Sequence, residues 1–334
     1  MTIEVSVVIP VFNGIPHLCQ TLDSLASQTV PLGDVVVIDD GSTDGSAAAA
    51  ASHPLKPRVI ARGNAGVAYS RNIGVAHARG THVALLDQDD LWGRCRHERL
   101  RAYLSAHLDA RALVTTCTSF HESGDSDRLA AVGDHLHRGT LRVEAGSDVA
   151  ELVQLATGGV PALLRKLSTS ELLAGPPSVT ASYVVERELY QAAGGCVPFA
   201  RSFDDWMLLL HLSMATDIHF VDEPSLLYRV HSSSTTMTTT WSAPLLAALN
   251  AVRTGGNVVT CDDAAHRVPP IIDDRHFFHH HLLQLAAAPG RAADALAFAQ
   301  LLATDERERR SLVWEVLKRS IGSRIRARLG SSGG

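Results

Sequence analysis

The sequence predicts an α/β protein with a Rossmann-like, mostly parallel sheet that is flanked by helices. Short, continuously apolar runs alternate with helix-like patterns in the first part of the chain, and each run ends in polar or turn-forming residues. Continuously apolar runs are typical of strands that are buried on both faces, as strands of parallel sheets are. Because ligands of open α/β sheets bind beyond the carboxyl ends of the strands, we expect the loops after these runs to converge on one site.

The elements of this sheet follow in chain order from their patterns. The predicted strands are Val5–Ile9, Val35–Ile38 and Val83–Leu86, and the predicted helices between them are Leu18–Leu25 and Gly66–Ala78. Strands that alternate with helices in this way are typical of a parallel sheet.

The second half of the chain has a weaker pattern at first. Residues 121 to about 174 are predicted to be an insertion that includes a helical fragment over Asp148–Leu155. Helical patterns return over Ser182–Ala193 and in a helix that begins at Asp204, and a strand-like run over Ile218–Val221 follows. Beyond residue 240 the chain is predicted to be mainly helical.

Composition indicates a globular protein and excludes several classes. Of the 334 residues, 46% are hydrophobic and 19% are charged, which is neither a disordered nor a fibrous composition. The formal net charge of -5 supplies no overall basic field for nucleic acid. The five cysteines are widely spread and include no C-x-x-C pair, which favours a reducing cytoplasm. We see neither a secretory signal nor a run of roughly 20 apolar residues that would span a membrane.

An acidic loop follows the strand that ends at Leu86. Asp87, Asp89 and Asp90 place several carboxylates close together, and carboxylate oxygens suit hard cations such as magnesium or manganese. An acidic loop after a strand is also typical of a solvated turn or of a helix cap, so the loop alone leaves both interpretations open.

Two further loops carry residues that suit a nucleotide. Asp39 and Asp40 begin a turn that is typical either of a helix cap or of carboxylates that accept the protons of a nucleoside such as uridine. The turn Gly63–Gly66 precedes a helix that carries Arg71, and glycine turns, helix amino ends and arginine all suit a pyrophosphate. The alternative for this second segment is a packing helix with a surface arginine.

Signatures of other nucleotide-binding folds are absent from the sequence. No G-x-G-x-x-G follows a predicted strand, and no G-x-x-x-x-G-K-[ST] occurs. These absences argue against dinucleotide oxidoreductases and P-loop enzymes.

Four motifs occur in a characteristic order. They are Val5-Ser-Val-Val-Ile-Pro-Val-Phe-Asn-Gly, Asp39-Asp-Gly-Ser-Thr-Asp, Asn64-Ala-Gly with Ser70-Arg-Asn, and Asp87-Gln-Asp-Asp. In this order they resemble the motifs of family 2 glycosyltransferases of the GT-A fold, and segments that begin at Ser182, Phe203 and Tyr228 extend the similarity. The resemblance implies a GT-A domain over residues 1–240, with a donor half of about 1–120 and an acceptor half of about 121–240. Residues 241–334 would form a mainly helical C-terminal extension.

For the donor half, the resemblance implies a nucleotide-sugar site and a divalent metal, Mn2+ or Mg2+. Residues implied to contact the nucleotide are Pro10, Phe12, Asn13, Asp39, Asp40, Asn64, Arg71, Asp87 and Asp89, with Asp39 and Asp40 at the uracil edge. Asp87, Asp89 and Asp90 resemble the D-x-D motif, whose carboxylates bind the ribose and the metal that bridges the diphosphate. The implied metal ligands are Asp89, Asp90 and His231.

For the acceptor half, the resemblance implies a catalytic pair of carboxylates, Asp204 and Asp205. They stand where the family usually has a Glu-Asp pair whose second member is the general base. Neighbouring residues on a helix face different directions, so we expect Asp205 alone to reach the acceptor hydroxyl. Helix capping by both aspartates is the alternative.

The implied reaction is an inverting, metal-dependent transfer of a sugar from a nucleotide sugar to an acceptor hydroxyl. A UDP-sugar is the expected donor, and the acceptor would belong to glycan, glycolipid or natural-product biosynthesis. A non-catalytic nucleotide-sugar-binding scaffold protein is the alternative from another class, and a nucleotidyltransferase that releases pyrophosphate is a second one. The joint presence of Asp89, Asp205 and His231 favours the enzyme.

The end of the chain bears on location and partners. Lys318–Leu329 is basic with interspersed Ile and Leu, which is typical either of a solvated helix face or of a helix on an anionic membrane. We expect a cytoplasmic protein without a nucleic-acid partner, and we leave open peripheral contact with the inner membrane face and a homo-oligomer. The histidines of 276–281 are predicted to belong to a partly buried helix rather than to a metal site.

Overall fold

The computed structural model describes residues 2–15, 17–121, 141–143, 149–155, 160–172, 176–196, 204–231, 257–259, 265–267, 296, 299 and 306–330. The chain divides into two compact units, of which the first comprises Met1–Thr238 with Val258–His266 and the second Thr239–Asn257 with Arg267–Gly334. No helix among the described residues is long and apolar enough to cross a membrane.

The first unit contains twelve strands and eight helices within its described residues up to 231. The strands are β1 (Val5–Val11), β2 (Asp34–Asp39), β3 (Arg58–Ala61), β4 (His82–Leu85), β5 (Leu91–Trp92), β6 (Ala112–Thr115), β7 (Cys117–His121), β8 (Leu141–Val143), β9 (Ala162–Leu167), β10 (Tyr183–Glu186), β11 (Ile218–Asp222) and β12 (Leu226–Val230). The helices are α1 (His17–Ala26), α2 (Ser46–Ser52), α3 (Val67–His77), α4 (Arg96–Ala106), α5 (Val149–Leu155), α6 (Thr169–Leu172), α7 (Arg187–Ala192) and α8 (Asp204–Ser213). A 3-10 turn, Thr180–Ser182, precedes β10.

Few elements are described after residue 231. β13 (Asn257–Val259) and β14 (Ala265–Arg267) form a two-stranded sheet, and α9 covers Glu306–Gly330. The histidines of 276–281 lie outside the described residues. That residues 241–334 are mainly helical therefore stays a prediction. Helix α9 is the part of this range in which the structure describes a helix.

The main sheet is mixed and mostly parallel, as the sequence predicts. Its eight strands have the order β3-β2-β1-β4-β10-β6-β11-β9. The first four of these are parallel to one another, β10 is antiparallel to both of its neighbours, and β11 is parallel to β6 and antiparallel to β9. A second sheet has the order β5-β12-β7-β8, in which β12 is antiparallel to β5 and thereby returns to the loop that follows β4.

The apolar runs become strands because both of their faces are covered. Every residue of β1 is buried, and so is every residue of β4. Helix α3 packs on this sheet at Gly74, where a Cβ atom would overlap Cγ1 of Val8 and would also meet Ile38. The absence of a side chain at Gly74 thus allows the close approach of the helix that carries Arg71.

The predicted helix over Ser182–Ala193 is wrong in its first part. Tyr183–Glu186 is strand β10, and only Arg187–Ala192 is helical. The β-branched Val184 and Val185 fit a strand that is buried between β4 and β6, and this pairing outweighs the helical periodicity of the segment.

Candidate active site

Hydrogen bonds join the loops at the carboxyl ends of β1, β2 and β4. The Asn13 N–H donates to Ser42 Oγ at 2.9 Å, and Asn13 Oδ1 accepts from the Thr43 N–H at 2.9 Å. Asn13 has a φ of 49°, a left-handed conformation that asparagine tolerates better than most residues. Gln88 accepts from the Phe12 N–H at 2.9 Å and donates to the Phe12 carbonyl at 3.3 Å. The expected convergence of these loops is therefore present.

The side chains predicted to contact a nucleoside differ in exposure along this edge. Pro10 is buried in β1, opposite Ile38 of β2. The Phe12 side chain, by contrast, is 48% exposed, and both Asn13 and Asn64 are exposed. An exposed aromatic ring beside exposed amides is a surface on which a planar base can rest.

Asp40 holds the turn that leads into α3. Its Oδ1 accepts from the Ala65 N–H and its Oδ2 from the Gly66 N–H, each at 2.8 Å. The neighbouring Asp39 is buried as well, and its Oδ1 accepts from the Ser42 N–H at 3.4 Å. Each carboxylate oxygen has a further lone pair, so Asp40 is able to hold this turn and to accept a hydrogen bond from a ligand at the same time.

Arg71 links the loop after β4 to the start of α8. Its guanidinium lies between two carboxylates, with Nη2 2.7 Å from Asp87 Oδ1 and Nη1 2.8 Å from Asp204 Oδ2. Burial opposes the charge of Arg71, but Asp87 and Asp204 outweigh it and raise the pKa of Arg71 well above its usual value. Arg71, which is predicted to lie near the phosphates, thus forms ion pairs with two other predicted site residues, Asp87 and Asp204.

The two carboxylates share this one cation. Burial raises the pKa of Asp204 to about 6, although Arg71 opposes the shift, and Asp205 adds to it. Burial also raises the pKa of Asp87, again against the effect of Arg71, and the negative charge of Asp89 adds to it. Negative charge therefore exceeds positive charge here, which favours the binding of a proton or a cation.

Asp205 lies on the first turn of α8 and is held at both of its oxygens. Its Oδ2 accepts from the Thr180 hydroxyl at 2.6 Å, and its Oδ1 accepts from the Trp206 N–H at 2.7 Å. Asp205 is half-buried, whereas Asp204 is buried and bonded to Arg71. The two neighbouring aspartates thus have different partners, as their positions on a helix predict.

Asp89 and His231 form a second pair in the site. Nε2 of His231 lies 2.8 Å from Asp89 Oδ2, and the two side chains are 17% and 23% exposed. His231 follows β12 directly and reaches the loop after β4 because β12 pairs with β5. The ring of His17, at the start of α1, lies 4.8 Å from the ring of His231.

Asp90 faces into the protein rather than toward this pair. It is 1% exposed, and its Oδ1 accepts from the Arg229 N–H at 2.9 Å. Burial raises the pKa of Asp90 well above its usual value, and the charges of Asp89 and Asp87 add to the shift. Arg229 also donates from Nε to the carbonyl of Asp89 at 2.8 Å. Asp90 and Arg229 together fix the backbone of the acidic loop against β12.

The donor set fits a divalent ion only in part. Among the described residues, no group of three or more His, Cys, Asp or Glu side chains is placed to hold a metal. Asp89 and His231 are hydrogen-bonded at 2.8 Å, and their carboxylate and imidazole are both groups that would be able to hold a divalent ion. Magnesium-like ions at nucleotide sites keep waters and bind substrate phosphates, so a two-residue site is sufficient for them.

Three residues of the site were not singled out as candidates from the sequence. Gln88 stands inside the motif Asp87-Gln-Asp-Asp, and Arg229 follows Tyr228 in a segment that extends the similarity, so their position was a usable signal. Thr180 lies 25 residues before Asp205 in the chain and belongs to no motif, so no sequence signal identified it.

Comparisons with known sequences agree with the motifs. Residues 6–138 match glycosyl transferase family 2. The uncharacterized glycosyltransferase EpsJ of Bacillus subtilis strain 168 is 33% identical over 99 residues, which cover 29% of each chain. The uncharacterized glycosyltransferase YibD of Escherichia coli K12 is 31% identical over 144 residues, which cover 40% of this chain and 41% of YibD. The chain thus spans less than half the length of these curated relatives.

Comparisons with solved structures agree with the fold. The crystal structure of S. aureus TarS 1-349 in complex with UDP has a TM-score of 0.59 at 15% identity, and the match covers 99% of this chain and 92% of that chain. The complex of TarS 1-349 with UDP-GlcNAc has a TM-score of 0.61 at 16% identity, with 98% and 92% covered. At this identity the likeness shows the fold alone, which is that of GT-A glycosyltransferases. The fold, the four motifs in order and the match over residues 6–138 therefore agree in their similarity to glycosyl transferase family 2.

Proposed function

We propose that the protein is an inverting, metal-dependent glycosyltransferase that moves a sugar from a UDP-sugar to an acceptor hydroxyl. The observation that carries this proposal is the ion-pair chain Asp87–Arg71–Asp204, which joins the D-x-D loop after β4 to the helix that bears Asp205. A donor-side carboxylate is thereby tied to Asp204, the direct neighbour of the candidate general base Asp205. The structures of TarS with UDP and with UDP-GlcNAc support the choice of donor.

The donor would lie along the edge formed by the loops after β1, β2 and β4. Phe12 and Asn13, which are exposed there, would contact the nucleoside, with Asn64 nearby. Asp39, Asp40 and the buried Pro10 would shape this surface, and either aspartate has lone pairs left for the uracil edge. Asp87 would bind the ribose while it holds Arg71.

Asp89 and His231 are the residues that would hold the divalent metal, and Asp90 would support them through Arg229. A metal held there would supply positive charge that stabilises the departing diphosphate. The metal proposal rests on Asp89 and His231 lying side by side in the site, where a hydrogen bond of 2.8 Å joins two side chains that both suit a metal.

The reaction proceeds by one displacement in this proposal. Asp205 takes the proton of the acceptor hydroxyl as that oxygen forms its bond to the anomeric carbon. The bond from this carbon to the diphosphate breaks on the opposite side, and its electron pair leaves with UDP. Attack from the opposite side inverts the configuration, and general-base assistance of this kind contributes roughly 10²- to 10⁴-fold to the rate.

Location and further partners stay predictions. Trp314 on α9 is 59% exposed, and Lys318 and Arg319 are exposed on the same helix, which supports peripheral contact with an anionic membrane. The cytoplasmic location and a homo-oligomer rest on the sequence argument alone.

Calorimetric titration with UDP, GDP and dTDP tests the donor site. We expect UDP to bind in the presence of manganese, and to bind at least about tenfold more weakly after chelation or in Asp89→Ala, because the metal site is then lost. Asp23→Ala is the matched control, since Asp23 lies on α1 with 73% of its side chain exposed. Failure of the unaltered protein to bind any of the three nucleotides would contradict the proposal, and UDP binding without UDP release from UDP-sugars would favour the scaffold alternative.

A further inference from the structure

We propose that Gln88 is a positioning residue that couples recognition of the nucleoside to the acidic loop. The inference rests on the proposed function, because it concerns how the same donor site is assembled. Gln88 stands between Asp87 and Asp89, and its side-chain amide pairs with the backbone of Phe12. The exposed residues Phe12 and Asn13, which we call the nucleoside surface, and the pair of Asp89 and His231 are thereby joined through a single side chain.

The pairing uses both halves of the amide. Oε1 of Gln88 accepts from the Phe12 N–H at 2.9 Å, and Nε2 donates to the Phe12 carbonyl at 3.3 Å. Only an amide side chain supplies an acceptor and a donor side by side in this way, so neither a carboxylate nor an apolar residue of similar length reproduces both bonds.

The surroundings show that this position is closely fitted. A Cβ atom on Gly14 would lie 2.6 Å from Gln88 Oε1, so a larger residue at position 14 would displace the amide. The Gln88 carbonyl accepts from the hydroxyl of Thr21 on α1 at 2.8 Å, which holds the Gln88 backbone from the other side. Gln88 is therefore hydrogen-bonded both at its backbone carbonyl and at its side-chain amide.

The segment that Gln88 holds carries the exposed part of the nucleoside surface. Phe12 is 48% exposed, and the adjacent Asn13 continues the contact to Ser42 and Thr43 after β2. The two hydrogen bonds set the separation between the backbone of Phe12 and the acidic loop that carries Asp89. That separation must match the distance from the base to the diphosphate of one nucleotide.

A double-mutant cycle on UDP affinity tests this coupling. Gln88→Met keeps the length of the side chain and removes both hydrogen bonds, and we expect UDP binding with manganese to weaken by about tenfold. In a Phe12→Ala background the same change should have a clearly smaller effect, because the ring that Gln88 places is then absent. A purely structural role would instead weaken binding equally in both backgrounds.

Controls separate this inference from the proposed function. Gln28→Met is the matched variant, since Gln28 bonds backbone groups of Ser24, Gly93 and His97 and none in the three loops; it should leave UDP affinity unchanged. The role of Gln88 alone is overturned if Gln88→Met binds UDP as tightly as the unaltered protein does. It is also overturned if Gln88→Met weakens UDP binding equally in both backgrounds of the cycle. Absence of UDP binding to the unaltered protein overturns both proposals.

Discussion

At the scale of single residues, buried charge in this protein is placed where it joins separate elements. Arg71 is buried between the carboxylates of Asp87 and Asp204, which belong to different halves of the first unit. Glu223, which is fully buried after β11, lies 2.5 Å from Arg99 of α4. Loss of the arginine from such a contact leaves buried carboxylate charge without its closest cation, so these contacts specify how the elements are arranged.

His211 is a buried group that makes stability depend on pH. It lies on α8 at 5% exposure, and neither ring nitrogen has a hydrogen-bond partner among the described residues. Burial lowers the pKa of His211 to about 4 from its usual 6.5. Because the pKa of His211 is lower in the folded protein, the unfolded chain takes up this proton at higher pH. The stabilisation is therefore complete above the pKa of the unfolded chain and is lost as the pH falls toward the pKa of the folded protein.

From this shift we expect His211 to lower the free energy of unfolding by about 2 kcal/mol between pH 8 and pH 5. Urea unfolding at the two pH values measures the difference. In His211→Leu, a buried residue of similar size that cannot be protonated, the decrease should be smaller by about that amount. An unchanged pH dependence in this variant would show that His211 is not the group responsible.

Contacts between distant segments explain which residues of the site were predictable. The carboxylates of the acidic loop and Asp205 were candidates because they stand in segments that resemble motifs of the family. The bond from Gln88 to Phe12 spans 76 residues and that from Arg229 to Asp90 spans 139, and no local pattern reports such pairs. The inward orientation of Asp90 depends on β12 and could not be derived from its neighbours in sequence.

At the scale of elements, the close packing of α3 on the parallel strands places Arg71. Gly74 is the residue of α3 at which the helix meets Val8 of β1. Helices and strands with continuous patterns, such as β1, β2 and α8, were predicted at nearly their observed positions. β3 has half-exposed or exposed residues throughout and lacks an unbroken apolar run, so its pattern predicted no strand.

Gly74→Ala tests this packing. Helix propensity alone favours alanine by about 1 kcal/mol, but overlap of the new Cβ with Val8 should outweigh it. We expect a net loss of at least about 1 kcal/mol in the free energy of unfolding, measured with urea.

The matched substitution is Gly33→Ala, in the loop before β2, where an added Cβ has nothing within 4 Å. It should change stability by no more than about 0.5 kcal/mol in either direction. Equal effects of the two substitutions would mean that α3 does not depend on Gly74 for its approach to the sheet.

At the scale of the whole molecule, alternation of strands and helices was sufficient to predict the class of fold. The mixed sheet agrees with that prediction, whereas the second sheet, β5-β12-β7-β8, was not anticipated. Two of its strands, β5 and β8, have only two and three residues, and β12 joins β5 across more than a hundred residues of chain. Short strands with distant partners have too little local pattern for prediction.

Ligand binding should stabilise the first unit as a whole, because the donor edge draws on loops of several strands. With UDP at 100 times its dissociation constant and saturating manganese, we expect the free energy of unfolding to rise by about 2.7 kcal/mol. Thermal unfolding with and without a chelator measures the effect. Asp89→Ala should show little of this increase, and an equal increase in that variant would argue against Asp89 as a metal ligand.

The antiparallel β10 also constrains the order in which the chain is able to fold. β10 lies between β4 and β6, yet it is made from residues 183–186, about a hundred positions after β4 ends at Leu85. During synthesis the amino-terminal strands emerge first, and the outer edge of β4 stays open until β10 leaves the ribosome. An open edge is a template for pairing with another chain. A product that stops before Tyr183 is thus prone to aggregate, whereas one that extends beyond Glu186 has the strand that closes this edge.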